Sequence, residues 1–193
     1  MLFLVLFAAL DGGGLPQQHR TVCALGLLFG TIGDFLLGIS KHGLIPGAVA
    51  FGIGHLFYMS LFISRPIKIY WPVVYFTAAW GVVIAILIFL PVAKEHPIAV
   101  FLFAIYAVIL KLCLIITTSQ YIHRDASDKD EGLYYRFLGF SLFYLSDSVL
   151  ILGDAGFPIP FSGKLCLAAY YSAQFLILCG NIHSGLYVKN KTA

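Results

Sequence analysis

Four ionisable residues lie deep inside long apolar stretches of the chain: Asp34, His55, Lys111 and Asp147. An ionisable side chain at the centre of a membrane costs roughly 3 kcal/mol or more, and such residues usually belong to functional sites. Two carboxyl groups with a cation and a histidine suit acid–base hydrolysis through a cationic transition state, which paired carboxylates perform in glycosidases.

These residues fall at similar depths when the apolar stretches are treated as helices. At about 1.5 Å per residue, Asp34 and Asp147 both lie about 20 Å from the basic ends of their spans, which run in the same direction. By the same count His55, Lys111 and Gln174 lie at depths of about 12–15 Å. We therefore expect all five side chains to face one shared cavity.

Three of these residues also have a purely structural interpretation. His55 would then be a neutral hydrogen-bonded contact, Lys111 the ion-pair partner of an aspartate, and Gln174 a hydrogen-bonding bridge between helices. A structural role explains two aspartates at equal depth less well. Arg136 lies eleven residues before Asp147, near the edge of its span. It is a candidate phosphate contact, and the alternative is an interfacial anchor.

Composition identifies the surroundings of these residues as lipid. The 193 residues are 60% hydrophobic and 11% charged, with a mean hydropathy of +0.92, whereas soluble domains have about 25% charged residues. The apolar runs are continuous and do not alternate, so they predict an all-α polytopic bundle and not a barrel. The dispersed net charge of +3 indicates no nucleic-acid partner. Because five of the six histidines lie in loops or at span ends, we expect no metal site.

The apolar runs predict six full spans and one partial span in a single domain, residues 1–193. Ten residues cover only about 15 Å of a membrane core about 30 Å thick, so residues 1–10 are interpreted as the second half of a helix that begins outside this chain. A weak similarity between the segments around Asp34 and Asp147 suggests a parallel repeat of four-helix units. The full spans are predicted at 21–39, 44–63, 71–90, 98–121, 134–153 and 163–183.

The basic residues predict the orientation of the bundle. Eight lysines and arginines fall on the side of the C-terminus and three on the other side. Cytoplasmic loops are enriched in these residues, so we expect a cytoplasmic C-terminus. The charged loop 123–131 is interpreted as a solvated connection.

Four segments of the chain form an ordered set of motifs: residues 33–37 with Asp34, 54–58 with His55 and Tyr58, 140–148 with Tyr144 and Asp147, and 170–174 with Gln174. Together they resemble the YhhN-like lysoplasmalogenases, a family of multi-spanning membrane ether hydrolases. The resemblance runs from about residue 1 to residue 187, and the order and spacing of the segments make it specific. The family typically has eight helices, so the resemblance implies that this chain lacks the first helix and part of the second.

The resemblance implies hydrolysis of the vinyl ether bond of a lysophospholipid, the lysoplasmalogen, without a metal or organic cofactor. The products would be a fatty aldehyde and glycerophosphocholine or glycerophosphoethanolamine. In a eukaryote the membrane would be that of the endoplasmic reticulum. The supporting or substrate-binding residues would be His55, Tyr58, Lys111, Tyr144, Gln174 and Arg136.

The two aspartates suit this reaction, which proceeds by protonation of a carbon and capture of the resulting oxocarbenium ion by water. One carboxyl group must deliver the proton while the other stays ionised, and either of Asp34 and Asp147 fits either role. Lys111 would favour ionisation of its neighbour, whereas burial would keep the other carboxyl neutral. We expect an apolar pocket for the chain, with the head group approached from the cytoplasmic side.

A transporter or lipid-binding receptor is the alternative, because proton-coupled transporters also use buried Asp, His and Lys residues. Transport is favoured by helices that Gly or Pro breaks at mid-span. Most prolines of this chain fall at span ends or in loops, which favours the enzyme.

Overall fold

The computed structural model describes residues 1–39 and 43–192, and within these ranges every regular element is helical. Helices α2 to α7 are each long and apolar enough to cross a membrane. The predicted all-α polytopic bundle with six full spans is therefore confirmed, and the chain is an integral multi-pass membrane protein. The helices are α1 (Leu2–Leu10), α2 (Gln17–Ile39), α3 (Leu44–Phe62), α4 (Trp71–Val92), α5 (Pro97–Ile122), α6 (Gly132–Asp154) and α7 (Ser162–Thr192).

The short helix α1 packs against α2 after a tight reversal of the chain. The turn is a single 3-10 segment, Gly12–Gly14, in which all three residues have φ between +58° and +84°. Only glycine adopts this left-handed backbone at little cost. The Arg20 side chain donates to the carbonyl oxygens of Ala9 and Leu10, at 2.5 and 2.7 Å. It thereby satisfies carbonyls that the end of α1 leaves without helical partners.

Glycines allow α2 to pack closely on α3, and α6 on α7. A Cβ atom at Gly26 would collide with the Tyr58 ring, and one at Gly54 would lie 2.9 Å from the Gly26 carbonyl oxygen. A Cβ at Gly139 would lie 3.1 Å from the carbonyl oxygen of Ala173 on α7. Small residues at such contacts are what holds helices together in lipid, where no hydrophobic driving force acts between them.

Helix α4 packs against its neighbours less than the other spans do. Only 17% of the residues in its most apolar 18-residue stretch are buried, the smallest fraction among the six spans. Its second half contains a π-helical turn, Ala85–Phe89, in which the Leu90 N–H donates to the Ala85 carbonyl. Pro91 follows directly and has no N–H for the regular α-helical bond, so the change of hydrogen-bond pattern lies where a proline interrupts the ladder. This half of α4 forms the outer wall of a cavity.

The loop 123–131 is not simply a solvated connection, so that interpretation is wrong for one of its residues. The Asp130 side chain is completely buried and pairs with Arg65 from the α3–α4 loop, which also pairs with Asp128. The Ser184 hydroxyl on α7 hydrogen-bonds the two Asp130 carboxylate oxygens, at 2.9 and 2.8 Å. The buried carboxylate is tolerated because a cation and a hydroxyl compensate its lost hydration.

Candidate functional site

Asp34 on α2 and Asp147 on α6 line the same cavity, whose volume is about 570 Å3. The cavity lies between the last turns of α2 and α6, the start of α3 and the first half of α7. Gly38, Asp154 and Gly163 line its outer end and are exposed. It therefore opens at the end of the bundle opposite to the C-terminus of the chain.

This opening corrects the expectation that a head group approaches from the side of the C-terminus. Asp34 and Asp147 lie within about two helical turns of the ends of α2 and α6. On the other side of the aspartates the bundle is filled by buried side chains, among them Phe140, Phe143 and Ile177. The aspartates are thus accessible from the end of the bundle opposite to the C-terminus, and buried side chains separate them from the end with the C-terminus.

A tyrosine hydroxyl interacts with each carboxyl group. Tyr106 on α5 donates a hydrogen bond to Asp147. The Tyr170 hydroxyl on α7 donates to the Gly30 carbonyl oxygen at 3.5 Å and lies close enough to Asp34 to interact with its carboxyl group. Because Tyr106 and Tyr170 are themselves buried, these hydroxyl groups are fixed in position by packing. Neither Asp34 nor Asp147 forms an ion pair within the described ranges.

A chain of hydrogen bonds continues from Tyr170 into the bundle. The Gln174 amide nitrogen lies 3.5 Å from the Tyr170 hydroxyl, and the Tyr58 hydroxyl donates to the Gln174 carbonyl oxygen at 2.9 Å. Gln174 and Tyr58 are almost completely buried, so their polar atoms need these partners. The chain therefore fixes the orientation of the Tyr170 side chain beside Asp34.

A second cavity of about 280 Å3 adjoins the first, and Asp147 borders both. Its walls are mainly apolar side chains of α4, α5 and α6, including Phe89 and Phe103, which stack on each other. Lys111 and Tyr144 also line this cavity. The exposed Val108 is part of its rim, so the cavity reaches the lipid-facing surface near α5.

His55 is not among the described residues that line the two cavities. Its Nδ1–H donates to the carbonyl oxygen of Phe51, at 2.6 Å. The ring centroid lies 4.4 Å from that of Phe143, and Nε2 is buried without a hydrogen-bond partner. The structure thus surrounds His55 with aromatic side chains instead of placing it beside the aspartates.

Arg136 is also away from both cavities, buried between α6 and α7. Its Nε donates to the Asn181 side-chain oxygen at 2.9 Å, and its guanidinium lies over the Phe62 ring, 5.6 Å from the centroid. Only 4% of its surface is exposed. The interfacial-anchor alternative therefore does not fit this side chain. Arg136 is also not among the described residues that line either cavity, so the structure does not place it as a phosphate contact.

The structure brings together part of the predicted set and adds residues to it. Asp34 and Asp147 share one cavity, Lys111 and Tyr144 share the second with Asp147, and Tyr58 and Gln174 reach Asp34 through Tyr170. Sequence reasoning missed Tyr106. The signal was a tyrosine in the middle of a span, where its hydroxyl needs a partner. In the described part of the chain, no group of three His, Cys, Asp or Glu side chains is arranged to hold a metal ion.

Comparison with known proteins connects this chain to a family. The chain is 27% identical to the bovine protein named lysoplasmalogenase TMEM86A over 190 residues, which cover 95% of this chain and 74% of that protein. It is 26% identical to the human protein of the same name, with the same coverage. No solved structure matches the chain significantly. The YhhN family matches residues 1–181, and this protein therefore belongs to the YhhN family.

Proposed function

We propose that this protein hydrolyses the vinyl ether bond of lysoplasmalogens, releasing a fatty aldehyde and glycerophosphocholine or glycerophosphoethanolamine. The observation that carries the proposal is the pair of carboxyl groups: Asp34 and Asp147 border one cavity, and Asp147 also borders an apolar one. The names of the bovine and human relatives support the same substrate class.

The two cavities fit the two parts of a lysophospholipid. A single alkenyl chain suits the apolar cavity of α4, α5 and α6, which reaches the lipid-facing surface. The head group suits the wider cavity, which contains Asp34, Asp154 and Ser162 and opens at the end of the bundle. In this orientation the vinyl ether, which joins the two parts, lies beside Asp147.

The reaction transfers one proton to carbon and then adds one water molecule. Protonation of the alkenyl carbon on the chain side leaves an oxocarbenium ion at the ether carbon. Water adds to that ether carbon and gives a hemiacetal. The hemiacetal then breaks its bond to the glycerol oxygen, which leaves as an alcohol together with the aldehyde. A positioned acid or base contributes typically 10²–10⁴-fold to such steps.

The positions of the carboxyl groups suggest their roles. The protonated carbon lies on the chain side of the ether, and Asp147 is the aspartate that borders the chain cavity. We therefore assign Asp147 as the acid. Asp34 borders only the wider cavity, which is open to water, and we assign it as the base that activates the water molecule and stabilises the cation. Tyr106 and Tyr170 orient the two groups.

Release of aldehyde from a vinyl ether lysolipid by the purified protein tests the proposal. The protein is reconstituted in lipid nanodiscs and supplied with a lysoplasmalogen or with the corresponding alkyl ether lysolipid, which has no double bond to protonate. We expect aldehyde from the first substrate and none from the second. Tight binding of both lipids without aldehyde would refute the enzyme and favour the lipid-binding receptor.

We further propose that the protein lies in the membrane with its C-terminus in the cytoplasm, and in the endoplasmic reticulum if it is eukaryotic. The excess of lysine and arginine at that end of the bundle supports the orientation. The head-group cavity would then face the lumen.

A further inference from the structure

Among the described residues, none forms a hydrogen bond or an ion pair with the amine of Lys111, which lies in the apolar cavity. Lys111 is partly buried on α5 and lines the cavity together with Asp147. Within the described ranges, no hydrogen bond or ion pair to its amine is found. The alternative interpretation of Lys111, as the ion-pair partner of an aspartate, is thus not supported by the described residues, and the amine is free to react.

The position of this amine is defined by Gly81 on α4. A Cβ atom at Gly81 would collide with the Lys111 Nζ, so the amine occupies the space that the missing side chain leaves. The side chains that line the same cavity include Ile84, Leu110 and Trp80, which offer little to a hydrated phosphate. A lysine in such apolar surroundings is the kind that forms Schiff bases with carbonyl compounds.

We propose that Lys111 captures long-chain aldehydes as an imine in this cavity. The inference rests on the proposed function only for the source of the aldehyde, because hydrolysis at Asp147 would release the aldehyde into the same cavity that Lys111 lines. The reversible adduct holds a reactive product inside the protein until water releases it.

The adduct forms without any oxidant or reductant. The uncharged amine attacks the aldehyde carbon, a C–N bond forms, and a proton moves from nitrogen to oxygen to give a carbinolamine. The Asp147 carboxyl donates a proton to the departing hydroxyl, the C–O bond breaks, and water leaves as the C=N bond of an iminium ion forms. The iminium N–H proton then returns to the Asp147 carboxylate and leaves the neutral imine. Addition of water to the imine reverses these steps and returns the aldehyde and the amine.

Reductive trapping tests the capture directly. Purified protein in nanodiscs is mixed with hexadecanal and sodium cyanoborohydride at neutral pH, and peptides are analysed by mass spectrometry for a hexadecyl group on lysine. We expect Lys111 to be alkylated at lower aldehyde concentration than Lys68, Lys94 or Lys164, all of which are exposed, and to saturate at one group per chain. An occupying alkyl ether lysolipid should protect it at least tenfold.

Two variants separate a defined site from general reactivity. Lys111→Arg keeps a cation but provides no amine for imine formation, and it should lose the early adduct while the exposed lysines still react. Gly81→Ala fills the space beside the Lys111 amine and should slow alkylation of Lys111 severalfold in protein of unchanged thermal stability. Alkylation of the exposed lysines with Lys111 unmodified in the native protein would overturn the proposal.

The outcome is independent of the hydrolysis assay because hexadecanal is supplied from outside. Alkylation of Lys111 in a protein that releases no aldehyde from lysoplasmalogen would remove the proposed hydrolase and keep the aldehyde site. Aldehyde release without alkylation of Lys111 would remove the aldehyde site and keep the hydrolase.

Discussion

At the level of single residues, Asp34 and Asp147 share one cavity and have similar neighbours, but only Asp147 also borders the apolar cavity. Each lies beside a tyrosine hydroxyl, so the neighbouring tyrosine does not distinguish an acid from a base. What distinguishes them is the apolar cavity, which Asp147 borders and Asp34 does not. Asp147 therefore meets the alkenyl chain, and Asp34 meets the water that enters with the head group.

The change of either aspartate to asparagine should abolish most turnover and leave the fold intact. Asparagine keeps the shape and accepts the tyrosine hydrogen bond, but it neither delivers a proton nor carries a negative charge. We expect activity to fall about 10²–10⁴-fold for Asp34→Asn and Asp147→Asn, with a double variant little worse than either single one because the two groups act as a unit.

Thermal stability in detergent is the companion measurement for these variants. Neither aspartate is ion-paired in the described residues, so neither change leaves a lone buried charge. Asp125→Asn, in an exposed loop position, is the matched control for both activity and Tm. A loss of about 3–5 kcal/mol of stability at Asp34 or Asp147 would point instead to a structural ion pair.

The tyrosine partners should matter to catalysis more than to folding. Tyr106→Phe removes the hydroxyl that donates to Asp147. This hydrogen bond strengthens as Asp147 loses its proton and becomes charged, and hydrogen bonds to charged groups are worth about 1.5–3 kcal/mol. We expect kcat to fall tenfold or more with little change in KM. Tyr75→Phe, at an exposed position on α4, is the control. Unchanged kcat in Tyr106→Phe would exclude a role for this hydroxyl.

At the level of elements, the contact of α6 with α7 positions Asp147 relative to Tyr170. Gly139 lies at this contact, where a Cβ would approach the Ile177 amide nitrogen to 3.0 Å and the Ala173 carbonyl oxygen to 3.1 Å. These are backbone atoms, which cannot turn away as the end of a side chain can. The two helices must therefore separate if Gly139 gains a side chain.

Gly139→Ala should destabilise the bundle by about 1–3 kcal/mol, the usual cost of overpacking. The measurement is the loss of folded protein on heating in detergent. Gly163→Ala provides the control, because a Cβ there meets nothing within 4 Å although Gly163 lies on α7, the helix against which Gly139 of α6 packs. Equal melting temperatures for the two variants would contradict the close packing of α6 on α7.

The sequence predicted the membrane-spanning helices better than it predicted which side chains of different helices are in contact. The spans follow from continuous apolar runs, because in lipid a single segment can pair its backbone N–H and C=O groups only by forming a helix. The pairing of Asp34 and Asp147 in one cavity also followed from their depth. Depth does not give the direction of a side chain around the helix axis, however, and His55, at a depth similar to that of Lys111, turned towards Phe143 and not to the cavity. The proposed four-helix repeat stays a prediction.

Contacts between residues that are distant in the sequence could not be predicted from it either. Asp130 looked like one charge among several in a loop, and only the fold brings Arg65 and Ser184 to it. Tyr106 became a partner of Asp147 through the packing of α5 on α6. Such pairs depend on helix rotation and loop path, which local residue patterns do not encode.

At the level of the whole molecule, the two ends of the bundle differ in what they carry. The end with the C-terminus holds most of the basic residues and the ion pairs of Arg65 with Asp128 and Asp130. The other end holds the opening of the cavity, bordered by Asp154 and Gly163. The orientation in the membrane therefore decides which leaflet supplies the head group of the substrate.

Cysteine labelling in sealed membrane vesicles tests this orientation. Ser127→Cys lies in an exposed loop at the end with the C-terminus, and Asp154→Cys lies at the cavity opening. With the cytoplasmic side outward, an impermeant maleimide should label Ser127→Cys at once and Asp154→Cys only after permeabilisation. The unchanged protein is the control, because its cysteines are buried or partly buried. The reverse order of labelling would mean that the cavity faces the cytoplasm, and substrate supplied to the cytoplasmic leaflet would then be hydrolysed in sealed vesicles.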